Sequence, residues 1–249
     1  MGQALAERMV ADGIERASVL YEGNEYGAGW ANMIDSSFRA LGGTSTGLTA
    51  FSPEATSVDA DLRRAFGSNE QAVVLVARAR TGAAVVEEWA SLGLGKRWYF
   101  VPALHDQVFL DNIPPGVVDD MVGISPALGD DSAAFETLFS DRWDGDRPLA
   151  PGYFYFDAIL LWALASEAAR TGSADPTGAQ VAQKLLEVSS PPGTAYTWQE
   201  LPQALAAVRN GEDIDFIGTT GAVNFDSRGD VEASGNRFWH VDSDIFIEE

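Results

Sequence analysis

Residues 72–77 read AVVLVA, a run without a polar side chain in a chain of 249 residues. A strand with one face in water alternates apolar and polar residues, whereas a strand covered on both faces is apolar throughout. The run therefore predicts a strand of a parallel sheet that carries helices on both of its faces. This prediction gives the first half of the chain the α/β fold class.

The segments around this run alternate between helix and strand patterns up to residue 125. Helices are predicted where apolar residues recur at three- and four-residue spacing, and strands where short runs are apolar and β-rich. The predicted helices cover 3–12, 26–41, 59–66 and 83–92, and the predicted strands cover 17–21, 46–51, 72–77, 98–101 and 121–124. Alternation at this spacing favours a parallel sheet with right-handed crossovers, which gives a three-layer lobe.

Beyond Ser125 and Pro126 the pattern changes to helices. The predicted helices cover 132–142, 153–170, 179–187 and 201–209, and β-like segments follow at 222–225, 237–241 and 245–247, with a turn at 226–230. Helices must bury their apolar faces against another layer. We therefore expect that the sheet on which these helices pack is absent from this sequence.

The predicted helix at 153–170 carries more large apolar side chains than an exposed helix tolerates. These side chains are Tyr153, Phe154, Phe156, Leu160, Leu161 and Leu164. We expect them to form an apolar surface, and we expect self-association of the chain to cover it.

The composition excludes several classes of partner and chemistry. With 16 basic against 37 acidic side chains the net charge is −21, which repels nucleic acid and anionic membrane surfaces. The chain has no cysteine, and its two histidines, His105 and His240, are far apart, so no metal site is expected. The GxSxG nucleophile elbow, the phosphate loop and the G-x-G-x-x-G motif are missing. The sequence therefore gives no support for an enzyme, and no cofactor is expected.

Three loops that follow predicted strands are candidates for a ligand site: 22–27 (EGNEYG), 77–82 (ARARTG) and 102–106 (PALHD). In open α/β sheets, ligands lie at the carboxyl ends of the strands, where loops meet the N-termini of helices. We therefore expect a ligand site at this edge. Asn24 in the first loop is expected to cap the helix that follows.

Several stretches, in this order, resemble one protein family. They are ASVLYEGNEYGAGW, FRALGG, AVVLVA, LGLGKRWYFVP, YFDAILLWALA and GTTGAVNFDSRGD, the last preceded by NGEDIDFIG. The chain is similar to the type I periplasmic solute-binding proteins of ABC importers, in the branch that binds leucine, isoleucine and valine. The resemblance implies two lobes, with the N-terminal half of lobe one missing. It assigns residues 1–124 to lobe two, 125–215 to helices that complete lobe one, and 216–249 to a hinge crossing and C-terminal strands.

The resemblance also implies four ligand-site positions, Tyr26, Arg78, Ala103 and Asp106. Tyr26 stands where the family packs a tyrosine against the ligand; the alternative is a turn residue that packs on its own helix. Arg78 replaces a second ligand-contacting tyrosine, and it either grips a carboxylate or forms a surface salt bridge. Ala103 stands where the family places the acid that meets a ligand ammonium. Either Asp106 substitutes for that acid or the ligand is not a simple amino acid.

The function implied by the resemblance is that of an extracytoplasmic solute-binding component of an ABC importer. Such a protein captures a small amino-acid-like or carboxylate solute in a cleft between its lobes and delivers it to a membrane permease. A periplasmic location, as a secreted protein or a lipoprotein, follows from the same resemblance, although no export signal is visible in this sequence. A second hypothesis is a ligand-sensing domain of a receptor or regulator, because a fold does not fix the function.

Overall fold

The computed structural model describes residues 1–67, 69–95, 97–170, 175–226, 229–231 and 235–249. The chain folds into two compact units. The first unit is Met1–Pro126 together with Asn236–Glu249, and the second is Ala127–Gly235. The polypeptide therefore leaves the first unit after Pro126 and returns to it at Asn236.

Helices and strands follow one another along the described residues in a regular order. They are α1 (Gly2–Ala11), β1 (Arg16–Glu22), α2 (Glu25–Ala40), β2 (Thr44–Phe51), α3 (Asp59–Ala65), β3 (Ala72–Val76), α4 (Ala79–Ser91), β4 (Arg97–Phe100), α5 (Gln107–Leu110), β5 (Val122–Pro126), α6 (Ser132–Arg142), α7 (Ala150–Ala169), α8 (Gly178–Val188), β6 (Thr194–Thr197), α9 (Leu201–Arg209), β7 (Ile214–Gly218), β8 (Gly221–Ala222), β9 (Asn236–Asp242) and β10 (Ile245–Glu248). Short 3₁₀ turns lie at Pro102–Leu104 and Trp198–Glu200. The predicted turn at 226–230 includes Ser227 and Arg228, which lie outside the described residues.

The first unit is built on a sheet of seven strands in the order β10-β9-β5-β4-β3-β1-β2. Strands β1 to β5 run parallel, with Val74 of β3 opposite Val19 of β1 and Tyr99 of β4. Strand β9 pairs antiparallel with β5, and β10 pairs antiparallel with β9. The mostly parallel sheet confirms the predicted α/β fold class. The C-terminal strands extend this same sheet, an assignment that the sequence pattern left open.

Strand β3 is buried on both faces, as the AVVLVA run predicted, and all five of its residues are inaccessible. Val73 and Leu75 belong to the core that contains α3, α4 and the large rings of Trp89 and Trp98. Val74 and Val76 belong to the opposite core, which contains residues of α1 and α2. Successive side chains of a strand point to opposite faces, so five consecutive apolar residues serve two cores.

The second unit contains α6 to α9 and a small sheet in the order β6-β7-β8. Strands β6 and β7 are parallel, and β8 is antiparallel to β7. The sequence pattern predicted helices but no strand between 125 and 215, so β6 and β7 are additions. The sequence does not predict them because both strands are short. Strand β6 has four residues, none of them fully buried, and β7 alternates buried and half-buried positions over five residues.

Helix α7 has an exposed apolar surface, but most of its side chains are not the ones that the sequence predicted. Three of the six side chains, Tyr153, Leu161 and Leu164, are buried in the core of the second unit, together with residues of α8, α9 and β7. Of the six, Phe154 is exposed, at 40%, and three residues outside the prediction are exposed with it: Tyr155 at 71%, Ile159 at 64% and Trp162 at 62%. We call these four side chains the exposed α7 face. The small sheet, which the pattern missed, helps to cover the other face.

A buried carboxylate ties α7 to the β7–β8 turn. Asp157 is 2% exposed. Its Oδ1 accepts the backbone N–H of Thr219 at 2.7 Å, and its Oδ2 accepts that of Thr220 at 2.8 Å. The hydroxyls of Thr219 and Thr220 also donate to these oxygens, at 2.9 and 2.6 Å. A Cβ on Gly218 would lie 2.4 Å from this carboxylate, so the approach requires glycine.

We predict that Asp157→Asn destabilises the second unit by about 2 kcal/mol and Asp157→Ala by about 3 kcal/mol, since hydrogen bonds to a buried charged group are lost. Each carboxylate oxygen accepts a backbone N–H, so an amide in either orientation would place its NH₂ against a donor. Chemical denaturation of both variants measures the loss. The exposed change Asp141→Ala on α6 is the control, and an Asp157→Asn variant as stable as this control would contradict the assignment.

Candidate functional site

The three candidate loops leave the sheet at one edge. Strands β4, β3 and β1 are consecutive in the sheet and parallel, so residues 101–106, 77–82 and 22–27 all follow carboxyl ends. The loops after β1 and β3 lead directly into the N-termini of α2 and α4. The structure therefore provides the strand-end geometry at which ligands bind in open α/β sheets.

Tyr26 and Arg78 come together at this edge. Tyr26 lies in the first turn of α2, and Arg78 is the extended residue that precedes α4. The Arg78 guanidinium carbon lies 5.3 Å from the centroid of the Tyr26 ring, within the range of a cation–π contact. Burial raises the pKa of the Tyr26 phenol, and the Glu22 carboxylate adds to this rise while Arg78 opposes it.

Glu22, the last residue of β1, is a residue that the sequence reasoning missed. Its side chain is fully buried and pairs with Arg78, whose side chain is 65% exposed. The Glu22 carboxylate accepts the Arg78 backbone N–H at 2.9 Å, Arg78 Nη1 at 3.0 Å, Asn24 Nδ2 at 3.0 Å and the Thr81 hydroxyl. Burial by itself would raise the pKa of Glu22, but hydrogen bonds from Arg78, Thr81 and Asn24 hold it below its ordinary value. The sequence feature that could have predicted its role is an acidic residue at the end of a mostly buried strand.

Helix α2 is capped as predicted. The Oδ1 atom of Asn24 accepts the backbone N–H of Gly27 at 2.8 Å. Asn24 thus has two roles, because its Nδ2 atom also donates to Glu22. A Cβ on Gly27 would lie 2.0 Å from the carbonyl oxygen of Glu22, so glycine is required for this close approach of α2 to the end of β1.

The other two predicted ligand-site positions, Ala103 and Asp106, are not part of the contacts that join Tyr26, Arg78 and Glu22. Ala103 lies in the 3₁₀ turn after β4. Asp106 caps α5, with its Oδ1 atom accepting the backbone N–H of Val108 at 2.9 Å. The ring contact and the hydrogen bonds at this edge join Tyr26 and Arg78 to Glu22, whereas Asp106 belongs to this separate cap.

His105, in the loop after β4, packs against the C-terminal strands. Its ring stacks on Trp239 at 4.9 Å between centroids and meets Phe246 edge-on at 4.6 Å. Its Nδ1 atom lies 2.9 Å from the Ser125 hydroxyl, and its Nε2 atom 3.4 Å from Glu248. Burial, followed by the charge of Arg237, lowers the pKa of His105 to about 4. The geometry is that of a neutral, packed histidine.

No cluster of three or more histidine, aspartate and glutamate side chains in the described ranges has the arrangement needed to hold a metal ion. Among the same residues, no helix combines the length and the apolar character needed to cross a membrane.

Comparison with known proteins identifies the family. The sequence model of the family described as "Periplasmic binding protein" matches residues 1–209. This chain belongs to the periplasmic binding protein family. No curated protein sequence matches it significantly.

Solved structures of periplasmic binding proteins resemble this chain in fold. The leucine-binding protein LivK of Thermotoga maritima is 17% identical with a TM-score of 0.79, and the match covers 100% of this chain and 63% of LivK. An ABC transporter solute-binding protein of R. palustris in complex with benzoate is 16% identical with a TM-score of 0.73, covering 99% and 61%. LivJ of Streptococcus pneumoniae in complex with isoleucine is 14% identical with a TM-score of 0.72, covering 100% and 64%.

These matches establish the type I periplasmic-binding-protein fold that the sequence resemblance implied, since the family and its structural neighbours coincide. The present chain spans less than two thirds of the length of these three proteins. The family and these neighbours are binding proteins, and the identities are too low to carry a ligand from one of them to this chain.

The first unit should lose stability in mild acid because of His105. Its pKa of about 4 in the folded state lies below the ordinary value of 6.5, so the unfolded chain binds the proton first. The stabilisation is complete above about pH 6.5 and is lost as the pH falls towards 4. Between pH 7 and 4.5 we predict that the free energy of unfolding falls by about 2.5 kcal/mol more in the wild type than in His105→Gln. Urea unfolding at both pH values measures this, and an equal pH dependence in the two proteins would contradict it.

Proposed function

We propose that this chain is part of the solute-binding component of an ABC importer, and that the edge formed by the ends of β1, β3 and β4 contributes to its solute site. The observation that carries the proposal is the Tyr26–Arg78 pair at the strand ends, held by the buried Glu22 carboxylate. An aromatic face and a fixed guanidinium together recognise an organic acid. The chain then acts by binding, without catalysis, outside the cytoplasm and in partnership with a membrane permease.

The solute class follows from the charges at this edge. Arg78 supplies a cation, Ala103 supplies no charge, and the Asp106 oxygen Oδ1 is engaged as a helix cap. The Glu22 carboxylate is buried and already accepts from Arg78, Asn24 and Thr81. Because Glu22 and the Asp106 cap already serve the protein, we propose that neither pairs with an α-ammonium group, and an unpaired buried charge costs several kcal/mol. We therefore propose a small carboxylate-bearing solute without an adjacent amine.

The two units correspond, in this proposal, to parts of the two family lobes. The first unit is assigned to lobe two, and the helices of the second unit to lobe one. The exposed α7 face is then an interface and not a solvated surface, because a soluble protein rarely leaves large apolar side chains together in water. In the 249-residue chain we propose that a second copy covers this face.

The area of the exposed α7 face is sufficient for a dimer. At about 200 Å² for a large side chain, the four residues expose about 500 Å² per copy. Two copies would bury about 1,000 Å², which is near the lower limit for a specific interface. A groove lined by apolar residues lies beside the face and offers further contact; its lining includes Phe154, Leu161, Trp162, Leu185, Val223 and Phe225.

We predict that benzoate binds the 249-residue chain, and that isoleucine and leucine do not. The reason is that Arg78 and Tyr26 fit a carboxylate and an apolar body, whereas Glu22 and the Asp106 cap are already engaged within the protein. NMR titration at millimolar concentration detects even the weak binding expected of a partial site, through shifts of the Tyr26 ring and the Arg78 side chain. Benzylamine, which has the ring but the opposite charge, is the control ligand.

Variants make this test specific. Arg78→Met should abolish the benzoate shifts, and Tyr26→Ala should weaken them at least about fivefold, as expected for the loss of an aromatic contact. Asp106→Ala should leave them unchanged because Asp106 caps α5. Leucine shifts equal to those of benzoate, and retained in Arg78→Met, would contradict the proposed solute class.

We also predict that the chain dimerises at micromolar concentration in about 0.15 M salt, where the repulsion between two acidic copies is screened over about 8 Å. Placing a charge in the exposed α7 face, as in Ile159→Glu, should give a monomer because the interface would bury an unpaired carboxylate. Light scattering measures both states.

The control for dimerisation is Ile245→Glu on β10, which has a similar exposure of 60% but lies in the first unit. It should leave the dimer intact. A monomeric wild type, or a dimer that Ile245→Glu dissolves and Ile159→Glu does not, would contradict the proposal.

A further inference from the structure

We propose that Glu22 is a positioning residue of the solute site, which acts by holding the Arg78 guanidinium beside the Tyr26 ring. The inference rests on the proposed function where it concerns solute affinity, and on the structure alone where it concerns the position of Arg78. Neither the family match nor the resemblance to solved structures assigns a role to this residue.

The carboxylate of Glu22 joins the ends of two parallel strands. Glu22 ends β1, and Arg78 follows β3, its neighbour in the sheet. The Oε1 atom accepts the Arg78 backbone N–H and the Thr81 hydroxyl, and the Oε2 atom accepts Arg78 Nη1 and Asn24 Nδ2. These donors belong to the loop that leads into α2, the residue that precedes α4 and the first turn of α4. One buried side chain thus fixes the relative positions of both loops.

Glu22 also performs the capping that α4 does not provide for itself. The N-cap position of α4 is Arg78, whose side chain makes no capping hydrogen bond. The first N–H groups of a helix need acceptors, and a negative charge at a helix N-terminus is stabilising. From a neighbouring strand, Glu22 supplies the negative charge and an acceptor for one of these groups, the Arg78 N–H. Because a protein carboxylate already lies at the N-terminus of α4, we expect a solute carboxylate at this edge to be bound through Arg78.

The position of Arg78 depends on this contact. Its side chain is 65% exposed, and a long exposed side chain without a partner samples many rotamers. The contact to Glu22 uses Nη1, and a guanidinium has five N–H donors in a planar fork. The remaining donors can receive a solute carboxylate, while the Tyr26 ring lies 5.3 Å from the guanidinium carbon.

The direction in which Glu22→Gln changes benzoate affinity shows whether Glu22 acts by positioning Arg78 or only through its charge. Glu22→Gln removes a negative charge close to the site, and a purely electrostatic effect would make an anion bind more tightly. If Glu22 positions Arg78, the same change releases the guanidinium and makes the anion bind more weakly. The two explanations therefore predict opposite changes in benzoate affinity.

The first experiment uses no ligand and the 249-residue chain. Side-chain ¹⁵N NMR follows the Arg78 Nε–H, and a pH titration follows the Tyr26 ring. In Glu22→Gln we expect the Arg78 signal to broaden or to exchange faster with water, and the Tyr26 titration to shift because the Glu22 charge is lost and the Arg78 charge is no longer held beside the ring. The matched control is Glu88→Gln on α4, where the lost acceptor serves Ser57 and Val58. It should change neither signal.

The second experiment measures benzoate affinity by NMR titration. Glu22→Gln should weaken it at least about tenfold, the factor that corresponds to one charge-assisted hydrogen bond. Arg78→Met should abolish binding whether or not Glu22 is also changed, because Glu22 acts through Arg78. Glu88→Gln, which alters an acceptor that serves Ser57 and Val58, should keep wild-type affinity.

The outcomes are decisive in each case. Tighter benzoate binding in Glu22→Gln, or an unchanged Arg78 signal, would overturn the positioning role. If the wild type binds no benzoate, the proposed solute class fails, while the ligand-free experiment still decides whether Glu22 holds Arg78. Should Glu22→Gln not fold, Glu22→Asp keeps the charge but withdraws it from Arg78, and the same broadening of the Arg78 signal is expected.

Discussion

Burial of β3 on both faces is the constraint on which the first unit depends. Its five side chains are inaccessible, and they divide between a core that contains α1 and α2 and a core that contains α3 and α4. A strand in this position needs a neighbour on each side and a helix layer above and below. Those requirements impose the βα alternation, which in turn brings the loops after β1, β3 and β4 to a single edge. The candidate site is therefore a consequence of how the core is covered.

Glu22 in the first unit and Asp157 in the second are buried carboxylates that each fix a loop, and they differ in what each carboxylate orients. Asp157 accepts only neutral donors from Thr219 and Thr220, so its contacts hold a turn against a helix and nothing more. Glu22 accepts neutral donors too, but one of its partners is the exposed cation of Arg78. A carboxylate that orients a solvent-accessible charge can transmit its position to a ligand, whereas a carboxylate surrounded by backbone groups cannot.

Much of the fold could be predicted because the signals are local. The AVVLVA run and the alternation around it are properties of short windows, and the structure confirms both. Strands β6 and β7 could not be recognised in the same way, since four or five residues with partial burial resemble loop sequence. The side chains buried on α7 were also mispredicted in part, because which face is covered depends on those missed strands. At the candidate site, the family resemblance and the loop positions pointed to Tyr26 and Arg78, which stay predictions, but Glu22 was missed because its hydrogen-bond donors lie up to 59 residues away in sequence.

At the proposed site, the preference for a carboxylate solute would come from rejection of amines as much as from attraction of the carboxylate. One guanidinium beside one aromatic ring is a modest attraction, because the charge of Arg78 is already shared with Glu22 and most of its side chain is exposed to water. In the proposal, an amine is disfavoured because Glu22 and the Asp106 cap are already engaged within the protein, and specificity is the difference between two affinities. The anionic character of the chain, with a net charge of −21, also lowers the rate at which any acid approaches. A solute acid bound here would therefore owe its selection to the fixed geometry of Arg78 rather than to the overall field of the protein.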